Sequence, residues 1–228
     1  HTRSFHVTGV QTCALPIWPI VLASVVPAWT DAFRDAAGGL GSRLIIVGPG
    51  QVPLDVLIPS PERLGIDRLV AAWGAVLRRG APAIVVDLGT ATTVDAVDAS
   101  GGFRGGAILP GLALGARALA DATALLPLVP PDAPATAIGT DTVAAIRAGT
   151  VIGHLGAIRE LVNRMIAELG RPRPVVVGTG GIVGEPWMRA ALLEPAGPGL
   201  PAIAGTVEPD LVLAALADIA RPYEREGA

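Results

Sequence analysis

The segment Ile84-Val85-Val86-Asp87-Leu88-Gly89-Thr90-Ala91-Thr92-Thr93 carries a carboxylate out of a buried apolar run into a turn with a glycine and several hydroxyls. Such a turn can aim main-chain amides at one point, and Gly89 brings no side chain that would hold a phosphate away. Thr90 and Thr92 add hydroxyl donors. Asp87 would repel a bare phosphate, so its natural task is to hold a cation that bridges to it. The same residues also suit a plain hairpin in which Asp and Gly only satisfy turn geometry.

A second segment, Val175-Val176-Val177-Gly178-Thr179-Gly180-Gly181, reads as a strand running into glycines and then a helix start. That order places amides and the positive end of a helix near a ligand. Val183 stands where a dinucleotide fingerprint needs its last glycine, which argues against that class of ligand. Close backbone packing without a ligand is the alternative. In Gly65-Ile66-Asp67-Arg68 a carboxylate and a guanidinium share a helix start. Asp67 there is either a simple N-cap, with Arg68 solvated, or a residue that accepts a proton from, or orients, an attacking alcohol. The stretch Gly102-Phe103-Arg104-Gly105-Gly106-Ala107-Ile108-Leu109-Pro110-Gly111 is too rich in glycine for an ordinary strand. Thr142 could offer a hydroxyl to a ligand, although first-turn threonines mostly serve the helix itself. His154 reads as structural, having no metal or base partner at a useful spacing in the sequence.

Composition removes other chemistries. The chain of 228 residues is 51% hydrophobic and 16% charged, which suits a globular protein. It contains no lysine, which excludes P-loop ATPases of the Walker type and enzymes that form a Schiff base. A net charge of -3 predicts neither a nucleic acid nor a membrane partner. Cys13 is the single cysteine, so no internal disulfide or cysteine-rich zinc site can form. Aspartate, threonine, arginine and backbone amides remain, and these are the tools of a phosphate-handling enzyme.

These residues need elements to hold them. Residues 1–17 show no strand or helix period and contain the lone cysteine and two of three histidines, so they read as a foreign or unstructured leader. A secretory signal is a second reading, weakened by Pro16 and Pro19. From Ile20 onward the spacing predicts a strand, a helix opening at Thr30 or Asp31, and a strand over 43–47. A proline-rich loop covers 48–62, and Asp67 then caps a helix with Leu69, Val70, Trp73, Val76 and Leu77 on one face. Strands are predicted at 83–86, at 92–97 and after Ser100-Gly101-Gly102, followed by a helix to about Ala122. A long helical stretch runs from Thr140 or Asp141 to Leu169 with a break near Gly153. A strand at 175–177 and a last helix over about 209–220 complete an α/β architecture of two lobes.

Together, Asp87-Leu-Gly-Thr-Ala-Thr-Thr-Val-Asp95, Gly105-Gly-Ala-Ile-Leu-Pro-Gly111, Thr123-Ala-Leu-Leu-Pro127, Gly139-Thr-Asp-Thr142 and Gly178-Thr-Gly-Gly181 resemble the type III pantothenate kinases, collinearly over about residues 20–218. The motifs Ala23-Ser-Val-Val-Pro27 and Gly65-Ile-Asp-Arg68 match as well. The resemblance implies a ribonuclease-H-like two-lobed fold of the actin, hexokinase and sugar-kinase type. Residues 18–80 would be the remnant of an incomplete first lobe and 81–228 the second. The Asp-x-Gly-Asn-Thr strand end with which that family begins is absent here, so the resemblance implies truncation at the amino end. It further implies a cytoplasmic, homodimeric phosphotransferase with an alcohol acceptor, which converts pantothenate to 4'-phosphopantothenate in the first step of coenzyme A biosynthesis. ATP with Mg2+ and a monovalent cation, K+ or NH4+, would be required. By position, Asp67 resembles the catalytic proton acceptor, and Gly65, Ile66, Arg68 and Thr142 resemble contacts to pantothenate. Gly89, Thr90, Gly178, Gly180 and Gly181 are similar to nucleotide contacts, and Asp87 is similar to the potassium ligand. A non-catalytic regulatory relative that binds a nucleotide or partner is the alternative, and another small-alcohol or sugar kinase is a third reading.

Overall fold

The apolar runs predicted as strands pair within two separate units of the chain. A computed structural model describes the main chain of residues 3–7, 10–14, 20–39, 44–133 and 136–224, and the side chains of 20–38, 44–133 and 136–223. The first unit comprises residues 1–83, 97–105 and 210–228, and the second 84–96 and 106–209.

In the first unit, β1 (Arg3–Val7), β2 (Val10–Ala14), β3 (Ile20–Ser24) and β4 (Leu44–Ile46) form a sheet in chain order. The β1/β2 and β2/β3 pairs are antiparallel, and β3/β4 is parallel. Residues 1–17, read from the sequence as a foreign or unstructured leader, thus include two strands. Their pairing runs through main-chain groups, which need no alternation of side chains to form a ladder. A parallel pair requires a crossover, and α1 (Pro27–Gly39) supplies it between β3 and β4. The helix begins at Pro27, ahead of the expected Thr30 or Asp31. Proline suits a first helical turn because its missing N–H would have no partner there, and the N–H groups of Trp29 and Thr30 both donate to the Val26 carbonyl at 3.1 Å.

The helix α2 (Ile66–Arg79) is capped at its start by Gly65, not by Asp67, which lies in the first turn. Its buried stripe includes Leu69, Val70, Ala71, Ala72, Gly74 and Ala75, while Leu77, expected inside, is 38% exposed. Small residues let α7 (Leu211–Glu224) come close: a Cβ on Gly74 would stand 2.7 Å from the Leu211 carbonyl oxygen. Trp73 Nε1 donates to Asp218 at 3.1 Å, and Arg78 pairs with Asp210 at 3.2 Å. This packing explains why 210–228 group with the first unit. Within the proline-rich loop, β5 (Asp55–Val56) pairs in parallel with the first residues of β8 (Gly102–Pro110), Asp55 opposite Gly102 and Val56 opposite Phe103.

The second unit is built on the strand order β10-β9-β6-β7-β8. Its strands are β6 (Ala83–Leu88), β7 (Ala91–Val97), the later part of β8, β9 (Val175–Thr179) and β10 (Thr206–Val207). The helices are α3 (Leu112–Ala122), α4 (Thr142–Ala148), α5 (His154–Leu169) and α6 (Pro186–Leu193). The break expected near Gly153 is a π-helical turn over Gly149–Gly153. Leu155, Ile158 and Val162 recur at helical spacing on α5 and bury against Ile84, Val86, Val94, Met188 and Leu192. No helix among the described residues is long and apolar enough to cross a membrane.

The turn that leads into β8 is held by one carboxylate. Asp98 accepts from the Ser100 hydroxyl at 2.6 Å, the Ser100 N–H at 2.9 Å and the Gly102 N–H at 3.0 Å. These donors, the Ser100 hydroxyl first, hold its carboxyl below the ordinary carboxylate value. Asp98→Ala is expected to lose about 1–2 kcal/mol of stability in urea unfolding at neutral pH. A carboxyl with a lowered value stabilises the fold above its ordinary range, so the gap from the unaltered protein should close as pH falls below 3.8.

Candidate functional site

In the second unit, β6 ends with Asp87 half-buried and Leu88 buried, and the turn residues Gly89 and Thr90 are exposed. The Gly89 N–H donates to the Ala91 carbonyl at 3.1 Å and closes the turn, so this amide is not free for a ligand. Behind the turn, the Gly111 N–H donates to the Thr90 carbonyl at 3.0 Å. A Cβ on Gly111 would stand 2.9 Å from the Thr90 carbonyl carbon, so the junction of β8 and α3 fits only without a side chain there.

The two glycine segments that the sequence singles out meet in this unit. Gly180 has φ 104°, and a Cβ on it would lie 2.6 Å from Asp87 Oδ1 and 2.6 Å from both the nitrogen and oxygen of Leu88. Gly180 therefore lies directly against the end of β6. Gly178 is packed between Leu192 and Val207, with room for a Cβ only at 3.1 and 3.3 Å from their side chains. Gly181 faces open space, and at Gly89 the nearest atom to a Cβ is the Ala91 carbonyl oxygen at 3.3 Å. Packing accounts for Gly178 and Gly180, a Cβ on Gly89 would press against the Ala91 carbonyl, and only Gly181 of these four faces open space. Thr179, buried, donates its hydroxyl to the Glu208 carbonyl at 2.8 Å and ties the loop to the residue after β10.

Thr92 behaves differently from the exposed donor that the sequence suggests. It is 1% exposed, because alternation along β7 turns it into the core, and its hydroxyl lies 3.0 Å from His154 Nε2. His154, without a partner in the linear reading, gains one that is 62 residues away in sequence. Burial pushes the imidazole below its ordinary value. His154 also lines a pocket of about 250 Å³ with Leu109, Gly111, Leu112, Gly115 and Thr150.

Gly65, Ile66, Asp67 and Arg68 cluster in the first unit. Asp67 Oδ1 accepts from the Arg68 N–H at 2.9 Å, and a Cβ on Gly65 would come within 2.5 Å of that oxygen, so glycine leaves the carboxylate room to turn back over the helix start. The Ile66 side chain is buried in the core. The Arg68 guanidinium sits 5.8 Å from the Phe103 ring centroid, a cation–π distance. Thr142, in the second unit, is exposed at the start of α4 beside its N-cap Asp141, whose carboxylate accepts from the Ala144 N–H at 2.8 Å. The structure thus gathers Asp87, Gly89, Thr90, Gly178, Gly180 and Gly181 in one unit and Gly65, Ile66, Asp67 and Arg68 in the other.

Asp87 Oδ1 and the Leu88 carbonyl oxygen both lie beside Gly180, with the Leu88 nitrogen equally near, and oxygens are the ligands that a hard cation takes. Among the described residues no three His, Cys, Asp or Glu side chains cluster as a metal cage. A cation here would draw its remaining ligands from main-chain carbonyls, water or the oxygens of a bound phosphate.

Gly180→Ala combines a disfavoured φ with three close approaches and is expected to cost about 2–4 kcal/mol, whereas Gly181→Ala, facing open space, should stay within about 1 kcal/mol. Urea unfolding of the two variants side by side measures the difference. For His154, a lowered value means that the unfolded chain takes up a proton which the folded ring resists. Stability is then full above the ordinary histidine value of 6.5 and falls as pH drops through it. Melting temperatures taken from about pH 7.5 to pH 5.5 should decline, and more gently in His154→Gln.

The chain is similar to known proteins over most of its length. A family model described as type III pantothenate kinase matches residues 5–164. The type III pantothenate kinase of Thermomicrobium roseum is 39% identical over 208 residues, which are 90% of this chain and 74% of that protein. That of Moorella thermoacetica is 40% identical over 167 residues, 72% of this chain and 65% of the relative, and that of Hyphomonas neptunium is 44% identical over 165 residues, 71% and 64%. The chain therefore spans about two thirds to three quarters of the length of these relatives. A solved structure described as a Baf family transcriptional activator, from Campylobacter jejuni, aligns over 94% of both chains with a TM-score of 0.59 and 17% identity, a likeness of fold. The expected α/β fold stands. With a family match over most of the chain and identities near 40%, the chain belongs to the type III pantothenate kinases.

Proposed function

We propose that this protein transfers the γ-phosphoryl group of ATP to the hydroxyl of pantothenate, giving 4'-phosphopantothenate. Type III pantothenate kinases are ATP-dependent and catalyse this first step of coenzyme A biosynthesis. The observation that carries the reading is the contact of Gly180 with Asp87 and Leu88, which joins two glycine segments beside one exposed turn.

In this reading Thr90, Gly89, Gly180 and Gly181 contact the nucleotide, while Gly178, packed between Leu192 and Val207, holds the loop in place. Asp87 holds a monovalent cation, K+ or NH4+, and Mg2+ accompanies ATP; such cations supply positive charge to the oxygens of a transferring phosphoryl group. Gly65, Ile66 and Arg68 contact pantothenate, Ile66 through its main chain because its side chain is buried, and Thr142 adds a hydroxyl. The contact with Phe103 limits the positions open to the Arg68 guanidinium, which favours a fixed geometry toward the pantothenate carboxylate. Asp67 accepts the substrate hydroxyl as a hydrogen-bond donor. Because phosphoryl transfer passes through a loose transition state that needs little early proton removal, Asp67 acts chiefly by aligning that oxygen with the γ-phosphorus.

A homodimer completes the proposal. Leu114 and Leu119 of α3, Val143 of α4 and Ile152 of the π-helical turn are all exposed on the second unit, an apolar surface that a second copy could cover. A cytoplasmic location is part of the same proposal, favoured by the dependence on ATP and the role in coenzyme A synthesis.

A coupled assay of ADP release with and without pantothenate tests the reading. Pantothenate-dependent ADP is the expected result, and Asp67→Asn should lower kcat by about 100-fold or more while leaving ATP binding nearly unchanged. Nucleotide binding with no ADP release under any pantothenate concentration would favour a regulatory relative instead.

A further inference from the structure

The exposed turn at Gly89 and Thr90 rests on two supports in the second unit. One is Gly111, whose N–H donates to the Thr90 carbonyl. The other lies two residues further along, where Thr92 enters the core and meets His154. A hydroxyl buried to 1% exposure costs free energy unless it is hydrogen-bonded, so a Thr at this place on β7 needs a partner. Val94, Leu112, Val151 and Leu155 are buried in one apolar core, and Leu112 lines the same pocket as His154. The partner that reaches it is the first residue of α5, immediately after the π-helical turn.

A π-helical turn inserts one extra residue per turn and thereby shifts which side chains face inward. Here it ends at Gly153, directly before the histidine that points to β7. The ring is also half-open to the pocket beside Gly111, Gly149 and Thr150. It therefore touches the base of the turn on one side and the pocket on the other.

We propose that His154 is a positioning residue for the nucleotide-binding turn, acting through its hydrogen bond to Thr92. This assignment rests on the kinase reading of the same turn. The pair constrains the start of β7 and so the placement of Thr90 and Ala91, two and one residues upstream. Either neutral tautomer serves: Nε2 accepts from the hydroxyl when the proton is on Nδ1, and donates to it when the proton is on Nε2. Leucine in place of histidine leaves the Thr92 hydroxyl buried without a partner and lets the turn relax. Glutamine can reach the same hydroxyl with either end of its amide.

Steady-state kinetics of the full chain test this. His154→Leu should raise KM for ATP about tenfold while KM for pantothenate moves less than about twofold, and His154→Gln should restore KM for ATP to within about threefold of the unaltered protein. Thr92→Val combined with His154→Leu should be no worse than the poorer single variant, as expected for two groups acting through one bond. Should the leucine variant fail to fold, the ¹⁵N resonances of the His154 ring in the unaltered protein provide a second measurement, and these should shift when a non-hydrolysable ATP analogue is added. An unchanged KM for ATP in His154→Leu, a glutamine variant as impaired as the leucine one, or a ring spectrum unmoved at saturating nucleotide would each overturn the assignment while leaving the kinase reading intact. If the unaltered protein itself bound no nucleotide, the kinase reading would fall, and this inference with it.

Discussion

The second unit depends on the absence of one carbon atom. At Gly180 a Cβ would collide with the Asp87 carboxylate and with both polar atoms of the Leu88 main chain, and the backbone there adopts a positive φ that other residues rarely take. Because that space is empty of side chain, β9 and its loop can close onto the end of β6. The carboxylate of Asp87 then stands among main-chain groups beside the exposed Gly89 and Thr90, in reach of solvent on one side. A loop that approached less closely would leave the carboxylate and the glycines as two unrelated features.

Around this contact the unit satisfies its buried polar groups by pairing them across the chain. Thr179 donates to the Glu208 carbonyl, Thr92 meets His154, and Gly111 donates to the Thr90 carbonyl. Each bond joins a residue next to the turn or loop to a distant element, so the main chain near the site is held from behind and not by its exposed face. Leaving any of these buried groups unpaired would cost more than the pair itself contributes, which gives polar contacts in a hydrocarbon core their specificity. The first unit uses a different device. Asp67 is set by a main-chain bond within its own helix turn and by the bare Gly65 before it, while Arg68 is positioned over the Phe103 ring.

Much of the element pattern is legible in the linear chain. The runs at 83–86 and 175–177 form β6 and β9, and the glycine-rich stretch from Gly102 forms β8 in spite of its composition. Less legible are features that local propensity does not govern. Pro27 opens α1 earlier than the capping residues suggest, and Gly65 takes the cap position assigned to Asp67. Leu77 is exposed, while Gly74 on the same helix makes the close approach to Leu211 of α7. In residues 1–17 no side-chain pattern announces β1 and β2, which form through main-chain pairing of β1 with β2 and of β2 with β3.

The sequence by itself determined the inventory: a chain without lysine, with one carboxylate at the end of an apolar strand, a second at a helix start, and glycines at the points where backbone must approach backbone. Residue type and local spacing carry that information, because turn, strand and helix preferences act over a few neighbours. The tertiary structure alone decided which of these residues meet. Gly180 against Asp87, Thr92 against His154 and α7 against α2 are contacts between residues 62 or more positions apart. They arise from the shape of packed surfaces and the need of buried polar groups for partners, and neither is written in any short stretch of the chain.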